Sequence, residues 1–338
     1  MKHTLLGVAL FLFLPAVGVT EPVKIIFDTD IGYDIDDTMA LALAHTLADR
    51  GELEILAVTC THKSPYIAPF VSLINTFYGR PDILIGEKKA GGDFPGGYHR
   101  PILEMKRPDG KPLFPRKIDI GQPQPEAVEV LRRVLADAEE GSVVLVQVGA
   151  FTNLARLLDS PADDISPYTG KELIEKKVKF ASIMAGDFVG NERFRETNIH
   201  LDLAATKRVF EAWPTEIVFS GHEIGYAAPY PAQSMIDDFN YVPHHPVKEG
   251  YAIHCGFEHH KPTWDLNSVL YVARPNRGYY TLSEPGRATI NDNGATLFTP
   301  EPGGKHRHQK FVGTQWAVTR EAFVNLLSTP PKHTARSE

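Results

Sequence analysis

The hydrophobic residues of this chain fall into short continuous runs, such as VKIIF, LEILAVTC and SVVLVQV, separated by longer amphipathic stretches. A strand that is apolar at every position is typical of a sheet buried on both faces, and strands separated by helices are typical of parallel pairing. The pattern therefore predicts an α/β fold with a mostly parallel open sheet and helices on both faces. The predicted strands are residues 23–27, 53–60, 83–85, 142–148, 177–184 and 216–220.

Helical periodicity follows most of these strands and predicts helices at 36–49, 65–78, 126–140, 247–255, 265–273 and 320–327. The long segment 86–124 is instead rich in Gly and Pro, as in AGGDFPGGYHRP, and long loops in compact domains are usually functional or disordered. We expect an active-site loop or lid there. Since neither a repeat nor a linker interrupts the pattern, one domain over residues 21–338 is predicted.

The N-terminus begins with one Lys and one His, followed by an apolar run over residues 5–14 and small residues around Gly18. This is typical of a secretory signal peptide, predicted here as residues 1–20 with cleavage between Gly18 and Glu21. The apolar run is shorter than the ~20 residues that a membrane-spanning helix needs. We therefore expect a secreted or periplasmic protein that does not associate with the membrane after cleavage.

Composition is that of an ordinary globular protein, with 43% hydrophobic and 23% charged residues. The net charge of −7 and the lack of a Lys/Arg cluster argue against nucleic-acid binding. The two cysteines, Cys60 and Cys255, have no zinc-like spacing. Because Cys60 ends a buried-strand pattern, a free core thiol is predicted rather than a disulfide.

Five aspartates lie within ten residues after the first strand, in the run DTDIGYDIDD: Asp28, Asp30, Asp34, Asp36 and Asp37. Carboxylates at a helix N-terminus are favourable, but five acids at this density repel one another unless a cation lies among them. A hard cation with oxygen ligands is the natural partner, and strand ends are where open α/β sheets bind ligands. The run predicts a metal site.

Polar residues also follow the other predicted strands, where they would converge on a single cleft at one edge of a parallel sheet. Asn153, Glu196, Asn198 and Asp265 can each cap a helix instead. Their joint placement favours a functional site. The groups are Thr61 and His62; Gly149, Thr152 and Asn153; Asn191, Glu196 and Asn198; His222 and Glu223; and Trp264 and Asp265.

With these motifs the chain resembles, over about residues 23–274, the calcium-dependent nucleoside N-ribohydrolases, the inosine-uridine preferring nucleoside hydrolase-like family. The family's opening D-x-D-x-G-x-D-D appears as DTDIGYDIDD, with two residues inserted before the Asp pair. The second motif, G-P-L-T-N-L-A, appears as GAFTNLA. The third, G-N…A-E-x-N-I…D-x-x-A-A, matches at Gly190-Asn191, Glu196 to Ile199 and Asp202 to Ala205. The last, H-D-x-x-A, matches only at Asp265.

The resemblance implies a Rossmann-related fold, a bound Ca²⁺ and hydrolysis of a nucleoside or riboside. Asp30, Asp37, Asp265 and the carbonyl of Val148 would hold the Ca²⁺. Asp30 would deprotonate a water on the metal, which attacks the anomeric carbon. The resemblance also implies a homo-oligomer, a dimer or a tetramer. Binding of the sugar hydroxyls is implied for Asp36, Asn191, Glu196 and Asn198.

Two departures from the family pattern concern the part of the site that would face the base. Trp264 stands where the family often has a His able to protonate the leaving base, and Thr61-His62 follows the second strand where an Asn is common. Trp264, Phe188, Tyr226 and Tyr230 can stack on an aromatic leaving group. The candidate acids are His222, His254, His259 and His260.

Two other functions fit parts of the pattern. A D-x-D-x-T phosphatase also begins with acids after a strand, but Gly32 stands where it needs Thr or Val, and the second acid pair is too close. The other function is that of a secreted calcium-dependent protein that binds sugars or nucleosides without turnover. It stays an alternative because Trp264 stands where the family often has a His that protonates the leaving base. Turnover of nucleosides distinguishes the binder from the hydrolase.

Overall fold

A ten-stranded sheet forms the centre of the computed structural model, which describes residues 21–89, 97–190 and 193–332. The strands are β1 (Val23–Thr29), β2 (Leu53–Cys60), β3 (Leu84–Glu87), β4 (Val143–Gln147), β5 (Val178–Met184), β6 (Glu216–Ser220), β7 (Thr281–Leu282), β8 (Gly286–Ile290), β9 (Thr296–Pro300) and β10 (His306–Lys310).

The strand order is β3-β2-β1-β4-β5-β6-β10-β8-β9, and β7 pairs with β10. Strands β1 to β6 and β10 pair in parallel, whereas β7, β8 and β9 pair antiparallel. The predicted mostly parallel sheet is confirmed. Because β1 lies between β2 and β4, the chain order reverses beside it, and such reversals open a crevice at the carboxyl ends of the strands.

Helices cover both faces of this sheet, as the continuous apolar strands predicted. They are α1 (Ile35–Asp49), α2 (Ile67–Phe77), α3 (His99–Glu104), α4 (Ala127–Asp137), α5 (Thr152–Leu158), α6 (Gly170–Lys177), α7 (Thr197–Leu201), α8 (Leu203–Ala212), α9 (His222–Ala227), α10 (Ala232–Asp237), α11 (Pro246–His254), α12 (Trp264–Ala273) and α13 (Gln315–Leu327).

Two hydrophobic clusters form the core, one on each face. One joins the sheet to α1, α2, α11, α12 and α13, and the other joins it to α4, α5, α6 and α8. Cys60 is a free, fully buried thiol in the first cluster, as predicted. Within the described ranges, no helix is long and apolar enough to cross a membrane.

The structure differs from the sequence-based prediction at short or strongly polar segments. Strand β1 continues to Thr29, and α6 was not predicted. Segment 97–124 contains α3 and, just before it, Tyr98, whose hydroxyl donates to the carbonyl of Asp34 at 2.9 Å. The predicted signal peptide, residues 1–20, lies outside the described residues and stays a prediction.

Candidate active site

A cavity of about 300 Å³ opens at the carboxyl ends of β1, β4 and β5, bordered by the first turns of α1 and α12. Eight of the nine residues predicted for the site line it, so the exits of β1, β4 and β5 meet at one cavity. The ninth, Asn191, lies outside the described residues. The eight are Asp30, Asp36, Asp37, Val148, Glu196, Asn198, Trp264 and Asp265.

A tight turn between β1 and α1 brings three of these aspartates to the cavity. Gly32 has φ of 104°, and a Cβ there would meet Nδ1 of His99 at 2.6 Å, so the turn requires glycine. Asp34 caps α1 by accepting from the backbone N–H of Ile35 at 2.5 Å. Asp36 and Asp37 follow in the first helical turn, where the helix dipole favours carboxylates.

Asp36, Asp37 and Asp265 form a buried triad in which one oxygen of each lies within 4.8 Å of the others. The backbone N–H of Asp265 donates to Asp36 Oδ2 at 3.2 Å, which joins α12 to α1. Asp37 also accepts from the hydroxyl of Thr29, and its carboxylate lies close enough to that of Asp30 for the two charges to repel each other. Asp30 therefore lies at the edge of the triad.

Burial raises the pKa of Asp30 to about 7 and raises the pKa values of Asp36, Asp37 and Asp265 well above their usual range. Repulsion among these carboxylates adds to the effect of burial. The four groups cannot all be ionised together unless a cation neutralises them. A hard divalent cation such as Ca²⁺ fits a donor set made of oxygens alone.

The opposite wall is built by α7 and the strand exits. Glu196 caps α7, accepting from the backbone N–H of Asn198 at 2.8 Å and of Ile199 at 3.2 Å, so the capping alternative and the cavity position both hold. Burial raises the pKa of Glu196 to about 7. The amide nitrogen of Asn198 donates to the carbonyls of Val148 and Met184, both at 3.1 Å. These bonds hold the Asn198 side chain against the exits of β4 and β5.

An aromatic wall borders the cavity beside Asp265. The indole Nε1 of Trp264 donates to the carbonyl of His222 at 3.1 Å, and the two rings stack with centroids 5.4 Å apart. Phe194 contacts His222 from another side, with ring centroids 4.4 Å apart. The indole N–H is thus already bonded to the His222 carbonyl, and it is too weak an acid to protonate a leaving group. Trp264 therefore provides only apolar ring surface to the cavity.

Other aromatic residues considered for base stacking lie elsewhere. Phe188 stacks on His308 with centroids 4.5 Å apart, and Tyr230 is buried with its hydroxyl 2.7 Å from that of Ser234. Tyr226 is exposed beside His222. Among the described residues, His222 is the candidate histidine that lines the cavity.

Several polar residues that were expected to converge on the cavity do not line it: Thr61, His62, Gly149, Thr152, Asn153 and Glu223. Asp28, the first acid of the run, does not line it either. Asp28 and Asn153 contact each other instead. Because β1 continues through Asp28, the carboxylate lies inside the sheet, accepting from Thr59 Oγ1 at 2.6 Å and Asn153 Nδ2 at 2.8 Å. Asn153 also donates to the carbonyl of Cys60 at 3.1 Å. Both residues join neighbouring strand ends beneath the site.

Sequence reasoning missed an ion pair at the cavity rim. Asp34 lines the cavity, and its carboxylate lies 2.6 Å from Nζ of Lys261 and 3.2 Å from Nε2 of His254. Burial acts to raise the pKa of Asp34, but His254 and Lys261 outweigh it and hold the pKa below its usual value. The two-residue insertion before the Asp pair was the only signal in the sequence. Met184, Phe194 and Arg195 also line the cavity without having been predicted.

Solved structures of nucleoside hydrolases share this fold. An inosine-guanosine nucleoside hydrolase is 20% identical, with 92% of this chain and 99% of that chain covered and a TM-score of 0.69. A purine-preferring ribonucleoside hydrolase from Gardnerella vaginalis is 16% identical, covering 90% and 98%, with a TM-score of 0.67. A plant nucleoside hydrolase is 20% identical, covering 93% and 99%, with a TM-score of 0.63.

Among curated protein sequences no significant match was found. The sequence model described as inosine-uridine preferring nucleoside hydrolase, by contrast, matches residues 25–235 of the 338. This match begins within β1 and covers the acidic turn, the Val148 strand exit and the Glu196 cap. The chain belongs to the inosine-uridine preferring nucleoside hydrolase family, hydrolases that act on N-glycosyl bonds.

Proposed function

We propose that this protein hydrolyses the N-glycosidic bond of a ribonucleoside or related riboside, with Ca²⁺ bound in the site and Asp30 as the general base. The observation that carries the proposal is the buried Asp36–Asp37–Asp265 triad, with Asp30 beside Asp37, inside a cavity of about 300 Å³. A cavity of this size is at the lower end of those that enclose small ligands.

Asp30, Asp37, Asp265 and the carbonyl of Val148 would hold the ion, and Asp36 lies close enough to share it. A calcium ion there supplies positive charge that orients oxygen ligands and favours loss of a proton from water. The oxygen-only donor set and the raised pKa values of the unneutralised acids support this assignment. Asp30 lies at the edge of the triad, where its carboxylate can accept a proton.

Sugar binding is assigned to Asp36, Asn191, Glu196 and Asn198. Glu196 is held in place by backbone N–H groups, and Asn198 by two carbonyls, so both are fixed before the substrate arrives. Fixed polar groups lower the entropic cost of placing the anomeric carbon near Asp30. Positive charge develops on the sugar as the bond breaks, and the surrounding carboxylates stabilise it.

The base would leave toward the wall formed by Trp264 and His222. Trp264 offers apolar ring surface to an aromatic base, and His222 is the nearby group that can carry a proton. Burial lowers the pKa of His222, so this side chain gives up its proton more readily and is protonated less often than an ordinary histidine. Protonation of the leaving base is therefore expected to be weak.

The second candidate is a calcium-dependent protein that binds a sugar or nucleoside without turnover. Trp264 favours it, since an indole preceding Asp265 cannot protonate a leaving base. The same cavity and the same acidic cluster would serve both functions. Release of free base and ribose distinguishes them.

The test is turnover of inosine, uridine and a nitrophenyl riboside by the purified protein, compared with Asp30→Asn. An amide can still donate an oxygen to the metal but cannot take a proton, so we expect turnover to fall roughly 10²–10⁴-fold. Exposed Asp82→Asn is the control and should leave turnover unchanged. Tight nucleoside binding without product would establish the binding function, and normal turnover by Asp30→Asn would remove Asp30 as the base.

A further inference from the structure

Lys261 is a buried cation beside the acidic cluster, with 8% of its surface exposed. Its Nζ contacts the carboxylate of Asp34 at 2.6 Å and lies 5.0 Å from the centre of the Trp264 ring. One ammonium group therefore contacts both the acidic turn and the aromatic wall. An ammonium over an indole is held by the ring's negative face, and the attraction is larger where water is excluded.

Both ends of this contact are anchored. The backbone of Lys261 pairs with that of Tyr230 through N–H···O bonds of 2.7 and 3.0 Å. Asp34 caps α1, and its carbonyl accepts from the hydroxyl of Tyr98 at 2.9 Å. The ion pair thus joins two fixed pieces of backbone rather than two free side chains.

Trp264 is also held from the side of α9. A Cβ on Gly225 would lie 2.4 Å from an indole carbon, so glycine lets the helix pack directly on this residue. His222 contributes its ring and its carbonyl to the same residue. Lys261 completes this set of contacts from the side of the acidic turn.

The two segments that the ion pair joins are the ones that supply the triad. Asp34 immediately precedes the turn of α1 that carries Asp36 and Asp37, and Lys261 precedes the start of α12 that carries Asp265. One other described bond joins the two helix starts directly, from the N–H of Asp265 to Asp36 at 3.2 Å. A change at the ion pair should therefore alter the spacing of the triad.

We propose that Lys261 is a positioning residue of this site, whose ammonium fixes the start of α1 against the start of α12 and so sets the geometry of the Asp36–Asp37–Asp265 triad and of Trp264. The inference rests on the proposed calcium site. Asp34 belongs to the two-residue insertion and is the residue that holds Lys261 in place. The insertion then serves to position the triad.

If Lys261 positions the metal ligands, its removal should weaken calcium binding. If Lys261 acts only through its charge, its removal should strengthen calcium binding. Removing a cation that lies near carboxylates makes the local potential more negative, which by itself tightens the binding of a divalent ion. Removing a residue that positions the ligands weakens metal binding, typically by 10–100-fold. The sign of the change in calcium affinity decides between them.

The experiment measures calcium binding by calorimetry for the full chain and for Lys261→Met, Lys261→Arg and Arg274→Met. Arg274 is the matched control. It pairs with Glu52 at 2.7 Å, and the two side chains are 9% and 24% exposed, close to the 10% and 24% of Lys261 and Asp34. We expect Lys261→Met to bind calcium about 10–100-fold more weakly, Lys261→Arg within about threefold of the natural protein, and Arg274→Met unchanged. If Lys261→Met does not fold, Lys261→Leu, which also removes the ammonium and its contact with Asp34, takes its place with the same expected loss.

Unchanged or tighter calcium binding by Lys261→Met would overturn the inference and leave the calcium site in place. A similar loss in Arg274→Met would also overturn it, because the effect would then come from general destabilisation. Failure of the natural protein to bind calcium would instead contradict the proposed function. Failure of the Lys261 inference and failure of the proposed function therefore give different experimental results.

Discussion

At the scale of single residues, five neighbouring aspartates have three different surroundings. Asp28 lies inside the sheet and accepts from Thr59 and Asn153, whereas Asp34 pairs with Lys261 at the cavity rim. The others, Asp30, Asp36 and Asp37, reach the cavity. The sequence predicts that acids gather where a strand meets a helix. It does not separate their roles, because these depend on where β1 ends and on a lysine more than two hundred positions away.

Protonation of the leaving group by His222 can be tested with two substrates. Because burial lowers the pKa of His222, a nitrophenyl riboside, whose nitrophenolate departs as a stable anion without needing a proton, should be cleaved much faster than inosine. His222→Gln should lower inosine turnover by about tenfold or more and change nitrophenyl riboside turnover by less than about threefold. Exposed His259→Gln is the matched control. Steady-state rates for both substrates provide the measurement, and equal rates in the natural protein would show that an efficient acid is present.

At the scale of elements, continuous apolar runs predicted the parallel strands because burial on both faces leaves no polar positions in them. Short or polar elements escaped this reasoning. Helix α6 begins with a capping box between Thr169 and Glu172, a local hydrogen-bond pattern that outweighs a sequence with few apolar residues. Strand β1 could not be followed past Phe27 because the polar Asp28 and Thr29 find partners that only the neighbouring elements provide.

Helix α1 carries a histidine that makes its stability depend on pH. His45 is fully buried, with Nε2 2.9 Å from Oδ1 of Asn75, and burial lowers its pKa to about 3. Below pH 6.5 His45 is protonated in the unfolded chain but stays neutral in the folded chain. The free energy of unfolding therefore decreases as the pH falls from about 6.5 toward the folded pKa of about 3.

His45→Gln removes this titration while keeping a polar side chain that can reach Asn75. Between pH 7 and pH 4, the free energy of unfolding should fall by about 3 kcal/mol less in the variant than in the natural protein, at ~1.4 kcal/mol per pH unit. Urea unfolding at several pH values measures it. Parallel curves for the two proteins would mean that His45 does not remain neutral in the fold.

At the scale of the whole molecule, the reversal of strand order beside β1 places the acidic turn, the Val148 exit and α12 around one cavity. The sequence predicted this convergence, since carboxyl ends of parallel strands share one edge. It did not predict the contact of Lys261 with two elements, because that contact requires the packed arrangement. The signal peptide, the secreted or periplasmic location and the dimer or tetramer stay predictions.

The central claim is that the buried acids hold a calcium ion on which hydrolysis depends. The most direct test removes metal with a chelator, returns Ca²⁺ in known amounts and measures both bound calcium and nucleoside turnover. The account predicts that turnover is lost on removal and returns in proportion to bound calcium, reaching its maximum near one ion per chain. Asp37→Ala, which breaks the triad, should neither bind the ion nor recover. Full turnover by the metal-free protein would contradict the account.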